Sequence, residues 1–300
     1  MAVYTIGEAL IDMMPEGKAF LPAVGGAPAN VAACVAKLNG EAFFIGTVGD
    51  DLFGEKIIRE LSVAGVNIRY INKTAKANTA LAFVTLGADG AREFSFYRKP
   101  SADMFLAPED AERITFKKGD ILHFCSVDLI DMPVRYATMR AIEKCKADGG
   151  IISFDPNIRL SLWDDKEEYK RVILEFLPLA DMAKLADDEI AFLFGNVSID
   201  SAAEIMLKTA AEAIITLGKN GSLLYTAKGK TIQKPYKINA VDTTGAGDSF
   251  IGTYLRYRDA LGVTALEYAS AASAMVCLKK GVLPALPTES ELQEFINSKR

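Results

Sequence analysis

The chemistry in this 300-residue chain is concentrated in Val241-Asp-Thr-Thr-Gly-Ala-Gly-Asp-Ser-Phe250. Gly245, Ala246 and Gly247 are small enough for backbone N–H groups to approach an anion closely. A helical pattern runs on from them to about Leu261. They stand at a helix N-terminus, where unsatisfied donors and the helix dipole favour negative charge. Asp248 falls in the first turn, beside that anion site. A carboxylate cannot bind phosphate, so it needs another task, such as taking a proton from a hydroxyl that attacks a phosphoryl group. An ordinary helix start with a dipole-favoured Asp is the competing reading. Two commoner motifs are excluded. No glycine stands three residues after Gly247, as a dinucleotide fingerprint requires, and Gly252 is followed by Thr-Tyr where a Walker A loop has Lys-Ser/Thr.

The elements that must position this segment read as alternating strands and helices. Val3–Gly7, Ala42–Val48, Asp120–Phe124, Gly150–Phe154, Asp181–Leu185 and Ala213–Leu217 are short apolar runs. Between them lie helical patterns at Ala29–Leu38, Phe53–Ala64, Met132–Ala147, Lys166–Leu179 and Ser201–Thr209. Such alternation predicts an α/β fold with a central, mostly parallel sheet flanked by helices. Pro28 suits the first turn of the first helix, Val31, Val35 and Leu38 share one face, and Gly40 ends it. Residues 12–25 and 68–105 break the pattern. The second stretch carries a hairpin pattern, Thr79–Leu86, a turn at Ala88-Asp-Gly90, then Arg92–Arg98. These two stretches are expected to form a small antiparallel β-lid on a single domain spanning 1–300.

Half the residues are apolar and 24% are charged, a composition that supports a sizeable core and excludes disordered or fibrous classes. A net charge of −5 and the absence of long basic runs argue against a nucleic-acid partner. No stretch approaches the ~20 apolar residues of a membrane span, and the N-terminus reads as a strand and not as a signal peptide. The four cysteines lack zinc or CxxC spacing, which points to a reducing, cytoplasmic setting. His123 is the sole histidine and lies in an apolar run, so multi-histidine metal sites are excluded and a structural role is expected.

Asp242-Thr-Thr-Gly-Ala-Gly-Asp248 resembles the C-terminal motif of the ribokinase-like (PfkB) carbohydrate kinases. Gly25-Gly-Ala-Pro-Ala-Asn-Val-Ala32, continued by Ile45-Gly-Thr-Val-Gly-Asp-Asp-Leu-Phe-Gly54, resembles the N-terminal one. The two stand more than 200 residues apart and in the family's order. The resemblance implies Asp248 as general base and the Gly245, Ala246 and Gly247 backbone as anion hole. It implies a sugar held under the lid by Asp12, the Asp of the first strand end, together with Gly25, Gly26 and Asn30. On the nucleotide side it implies ATP near Lys184, Thr216, Gly218, Lys219, Gly221 and Ala274. Where the family often has Asn-x-x-Glu, this chain has Ala186-Asp-Asp-Glu189; Glu189 remains to orient a Mg²⁺-bound water. Asp242, Thr244 and Gly281 match a monovalent cation site of ribokinases, but its Ser position reads Ala285, so potassium is left open.

Gly-Gly-Ala-Pro-Ala-Asn, Gly7-Glu-Ala-Leu-Ile-Asp12, Phe96-Tyr-Arg-Lys-Pro-Ser-Ala-Asp103 and Asp155-Pro-Asn-Ile-Arg-Leu-Ser-Leu-Trp163 look like the fructokinase branch. Arg98 and Arg159 are expected to converge on the sugar. An arginine pair also suits a carboxylate, as 2-keto-3-deoxygluconate kinases require. Those relatives tend to carry a Tyr at the position of Phe96, which tilts the reading to D-fructose. Aminoimidazole riboside kinase shares much of the pattern. A sugar- or nucleotide-binding regulator without turnover is the non-enzymatic alternative. The partners expected are a small sugar and ATP, and a homodimer could form through the lid edge.

Overall fold

The computed structural model describes residues 1–86 and 92–299. In chain order the elements are β1 (Ala2–Ile6), β2 (Leu10–Glu16), β3 (Ala19–Gly25), α1 (Ala27–Lys37), β4 (Glu41–Gly49), α2 (Leu52–Val63) and β5 (Asn67–Thr74). β6 (Leu81–Leu86), β7 (Arg92–Tyr97), α3 (Pro108–Glu112), β8 (Ile121–Phe124), α4 (Pro133–Ala147), β9 (Ile151–Phe154) and α5 (Lys166–Phe176) follow. The chain continues through β10 (Met182–Ala186), α6 (Asp187–Phe194), α7 (Ile199–Met206), β11 (Glu212–Thr216), β12 (Ser222–Thr226) and β13 (Gly229–Gln233). It ends with α8 (Ala246–Leu261), α9 (Ala265–Val276) and α10 (Glu289–Lys299).

Among the described residues the main sheet has nine strands in the order β13-β12-β11-β10-β9-β8-β1-β4-β5. From β11 to β5 every pairing is parallel, whereas the β11–β12 and β12–β13 pairings are antiparallel, so β12 alone runs against the other strands. Side chains alternate between the two faces. Tyr4 and Ile6 join a core with α4, α5, α6 and α7, while Val3 joins one with α1, α2, α8, α9 and α10. Burial on both faces explains the nearly continuous apolar runs of the central strands. His123 is fully buried, with Nδ1 3.0 Å from the Ser153 hydroxyl, and all four cysteines are buried and free.

A second sheet, β3-β2-β6-β7, stands beside the first. The turn assigned to Ala88-Asp-Gly90 lies outside the described residues, though β6 and β7 pair antiparallel as expected. The lid is smaller than the sequence suggests. Residues 67–74 belong to the main sheet as its edge strand β5, paired with β4. The segment Ala102–Phe105 is a short 3-10 turn whose Ala102, Asp103 and Met104 are buried. The lid sheet is therefore built from 10–25 and 81–97. Asp12 is likewise not at the end of β1 but inside β2, opposite Ala23 and Ala82. At the end of α1 the left-handed residue is Asn39 (φ 56°), with Gly40 following it under Val35. Asp51 caps α2 through Phe53 and Gly54 N–H and, with its other oxygen, accepts Thr79 N–H (2.8 Å), joining the start of the lid hairpin to the main sheet's flank.

Candidate active site

Chain entering α8 turns at Gly245, which adopts φ 75° and packs so closely on Val282 that a Cβ would lie 2.5 Å from Cγ1. Only glycine meets both demands. Asp248 then points from the first turn into a cleft of about 300 Å³. Glu8 and Asp12, the Gly26-Ala27 turn with Asn30, Phe96 of the lid, Asn157 and Arg159 after β9, and Thr243 to Gly245 with Gly247 line this cleft. It opens beyond the carboxyl ends of β1 and β9, where open α/β sheets commonly bind ligands.

Two amides grip the Asp248 carboxylate. Asn30 Nδ2 donates to Oδ2 at 2.8 Å and Asn157 Nδ2 to Oδ1 at 3.2 Å. Burial pushes the carboxyl above its ordinary pKa; the Asn30 bond, the Arg159 guanidinium and the Lys184 ammonium pull it back, while Asp155 opposes them. Asn30 reaches it because α1 starts at Gly26 (φ 105°), where a Cβ would stand 2.5 Å from the Glu8 carbonyl. At Gly25 a Cβ would overlap the Asp12 carboxylate. The two glycines thus let both acceptors sit against the turn.

Acceptors dominate this wall. Glu8 Oε1 accepts Ala27 N–H at 3.0 Å, whereas Glu8 Oε2 and Asn30 Oδ1 are buried without a hydrogen-bond partner among the described residues. Burial raises the Glu8 carboxyl to about 7, with Arg98 pulling the other way.

The remaining site residues divide. Arg159 lines the cleft, held by Tyr169 OH accepting its backbone N–H (3.2 Å), with Tyr169 stacked on Trp163 at 4.4 Å. Arg98 does not reach the cleft. Its guanidinium is buried, donating through Nε to Asp103 Oδ2 (2.7 Å) and bonding Asp128, because an unpaired buried cation is costlier than one so enclosed. Lys184 is also buried, its Nζ donating to Asp155 Oδ2 at 2.7 Å, yet it lies beneath the helix mouth, 3.5 Å from where a Gly247 Cβ would be. Glu189 accepts backbone N–H groups of Ile158 (2.7 Å) and Ala186 (2.8 Å), so its carboxylate ties α6 to the β9 loop. Ala246 does not line the cleft, and its N–H donates to the Thr243 carbonyl (3.2 Å), leaving Gly245 and Gly247 as the cleft-facing members of the loop.

A model of the pfkB family carbohydrate kinases matches residues 3–289. The chain belongs to this family. It is 40% identical to probable fructokinase-4 of Arabidopsis thaliana, over 98% of this chain and 96% of that one. Among solved structures, fructokinase from Vibrio cholerae O395 with fructose, ADP and calcium ion bound superposes with a TM-score of 0.91 at 33% identity, over 98% of each chain. Aminoimidazole riboside kinase from Salmonella enterica, complexed with aminoimidazole riboside and an ATP analog, gives 0.90 at 32%, over 99% of this chain and all of that one.

In this pfkB chain the nucleotide-side candidates lie off the lid-facing cleft. Thr216 ends β11 opposite Ser222, Gly218 and Lys219 form a short turn, and Gly221 (φ 100°) abuts the Gln233 carbonyl; Ala274 is buried on α9. None of them lines the cleft that holds Asp248. The Asp242 carboxylate accepts N–H groups of Thr244 (2.8 Å) and Gly281 (3.1 Å), bringing these three residues together. Among the described residues no group of three or more His, Cys, Asp or Glu side chains is placed to hold a metal ion. Nor is any helix of them long and apolar enough to cross a membrane. Sequence reasoning missed Glu8 and Asn157. Each lies within three residues of the carboxyl end of a buried strand, Glu8 after β1 and Asn157 after β9.

Proposed function

We propose that this chain is an ATP-dependent fructokinase, converting ATP and D-fructose to ADP and D-fructose 6-phosphate. One observation carries the reading: a carboxylate in the first turn of α8, oriented by two amides, faces a cleft walled by hydrogen-bond acceptors. Polyols are donor-rich ligands, and Glu8, Asp12, Asn30 and Asp248 offer them acceptors under a lid. The fructokinase relatives support the substrate. The burial of Arg98 also removes one member of the arginine pair that would favour a sugar acid.

In this mechanism Asp12, Asn30 and the Gly25-Gly26 turn hold the sugar with its primary hydroxyl toward Asp248. Asp248 accepts the hydroxyl proton as the new O–P bond forms and the bond from the γ-phosphorus to the bridging oxygen breaks, releasing ADP. Amides of Gly245 and Gly247, with Lys184 beneath them, offset the developing negative charge. Thr216, Gly218, Lys219, Gly221 and Ala274 flank the nucleotide. Mg²⁺, which neutralises phosphate charge when bound, fits as an ion carried in by ATP, since Glu189 is engaged by backbone amides and no protein cage is present among the described residues. A potassium ion at the Asp242 loop is tested by exchanging potassium for sodium in the assay; an unchanged rate removes it. Four buried free cysteines support a reducing compartment, and the exposed lid sheet supports a homodimer.

Asp248→Asn tests the base at the centre of this reading. It should cut kcat by ~10²–10⁴ with little change in the KM for fructose. Near wild-type kcat would remove Asp248 as base. Sugar-dependent ADP release across fructose, 2-keto-3-deoxygluconate and aminoimidazole riboside separates the substrates, and thermal stabilisation without ADP release would indicate a binder.

A further inference from the structure

The geometry points to Asn157 as the positioning residue that holds the Asp248 carboxylate in its cleft-facing orientation. This inference rests on the kinase reading above and concerns how its base is aimed.

Asn157 has a left-handed backbone (φ 47°), one of two non-glycine residues among those described to do so. Such a conformation is disfavoured for a residue with a Cβ and persists only where its surroundings impose it. Here they do. Asp155 Oδ1 accepts the Asn157 N–H at 3.2 Å, closing a turn two residues long, and Asp155 Oδ2 is bound by Lys184 Nζ at 2.7 Å. Asp155 and Lys184 are both buried, so the turn is anchored on the sheet and not on a free loop. From that turn Asn157 Nδ2 reaches Asp248 Oδ1. Asn30 takes the other oxygen from the opposite wall. One amide per oxygen fixes the plane of the carboxylate and leaves a further lone pair on each atom for a substrate hydroxyl. With Asn30 alone, the carboxylate could rotate about its remaining bond.

The charged groups facing Asp248 are Arg159, Lys184 and Asp155. Arg159 and Lys184 favour the ionised base and Asp155 disfavours it. The Asn157 amide adds a donor to the ionised form, so its loss should raise the pH at which activity sets in.

Two variants test this, with full pH profiles of kcat/KM. Asn157→Gly removes the amide while tolerating the left-handed backbone. Asn157→Asp keeps the shape but sets a carboxyl against a carboxylate. Both should lower kcat by ~10–100-fold, the range for losing a hydrogen bond to a charged group, with fructose KM within about twofold. The acid limb should move up in both, further for Asn157→Asp, since a like charge adds to the lost donor. A kcat within twofold of wild type and an unmoved acid limb in Asn157→Gly would overturn the inference. So would a raised KM with kcat and limb unmoved, which would make Asn157 a sugar contact. Failure of the kinase reading is distinct: it would show as no fructose-dependent ADP release by the wild-type protein, whereas failure of the Asn157 inference leaves wild-type turnover in place.

Discussion

At the scale of single residues, the buried cluster behind Glu8 holds more negative than positive groups. Arg98 faces Asp103 and Asp128, with Glu8 close enough to feel its charge. One guanidinium cannot neutralise three buried carboxyls, so burial raises both Glu8, to about 7, and Asp128. The folded-state pKa of Glu8 lies above its ordinary value of 4.5. Its contribution to stability is thus fully present below about pH 4.5 and is lost as pH rises through 7. Glu8→Gln, which can still accept Ala27 N–H, should flatten the fall in melting temperature between pH 5 and 8. An identical pH slope in wild type and variant would contradict this. His123 behaves in the opposite sense. Burial depresses its pKa to about 4, so its contribution is present above 6.5 and is lost as pH falls through 4. Because it is the sole histidine, its single imidazole NMR signal should show no titration step between pH 5 and 8; a step near 6.5 would place it in solvent.

Between elements, the decisive contact is the crossing of α1 and α8, since α1 carries Asn30 and α8 carries Asp248. Gly252 makes that crossing close: a Cβ there would lie 2.9 Å from Cys34 Cβ and 3.1 Å from the Val31 carbonyl. Gly252→Ala gains about 1 kcal/mol of helix propensity. It must also push the helices apart, an overpacking cost of about 1–3 kcal/mol. The second effect wins, so Tm should fall by a few degrees and kcat should drop with it as the Asn30–Asp248 bond lengthens. A variant with normal kcat would show that the crossing does not set the base. The elements themselves were mostly legible, because strands buried on both faces leave unbroken apolar runs and Gly245 announces the start of α8. The start of the 68–105 stretch reads as lid because β5, an edge strand of the main sheet, exposes one face and so resembles a lid strand. Arg98 was misassigned for another reason. Its identity says it needs an anion, but nothing local says that Asp128, thirty residues on, will arrive to supply it. Nothing near Asn157 in the sequence signals its contact, because the partner, Asp248, stands 91 residues away.

For the whole molecule, the lid sheet turns one face to the cleft and leaves aromatic side chains exposed on the other. Its pocket-facing side carries Asp12, Ala82 and Phe96, which share one face by the pairing register. The other side carries Phe20, Phe83 and Tyr97, with ring centroids 5.1 and 5.2 Å apart in sequence. Phe20 is 40% exposed and Tyr97 64%. A contiguous aromatic row on a two-layered edge is unfavourable in water at roughly 25 cal/mol per Å² of apolar surface. Pairing of two such lids in a homodimer would bury it, and would also stiffen the sheet that holds Asp12 over the sugar. Introducing a charge at each end of the row, Phe20→Glu with Tyr97→Glu, should therefore convert a two-chain species to single chains in light scattering. The same variant should raise the fructose KM several-fold while kcat falls less, because in the proposed mechanism the lid contacts the sugar and α8 supplies the base. A wild-type protein that scatters as single chains at micromolar concentration would rule out lid pairing. A dissociated variant with unchanged KM would show that Asp12 is held by its own sheet alone.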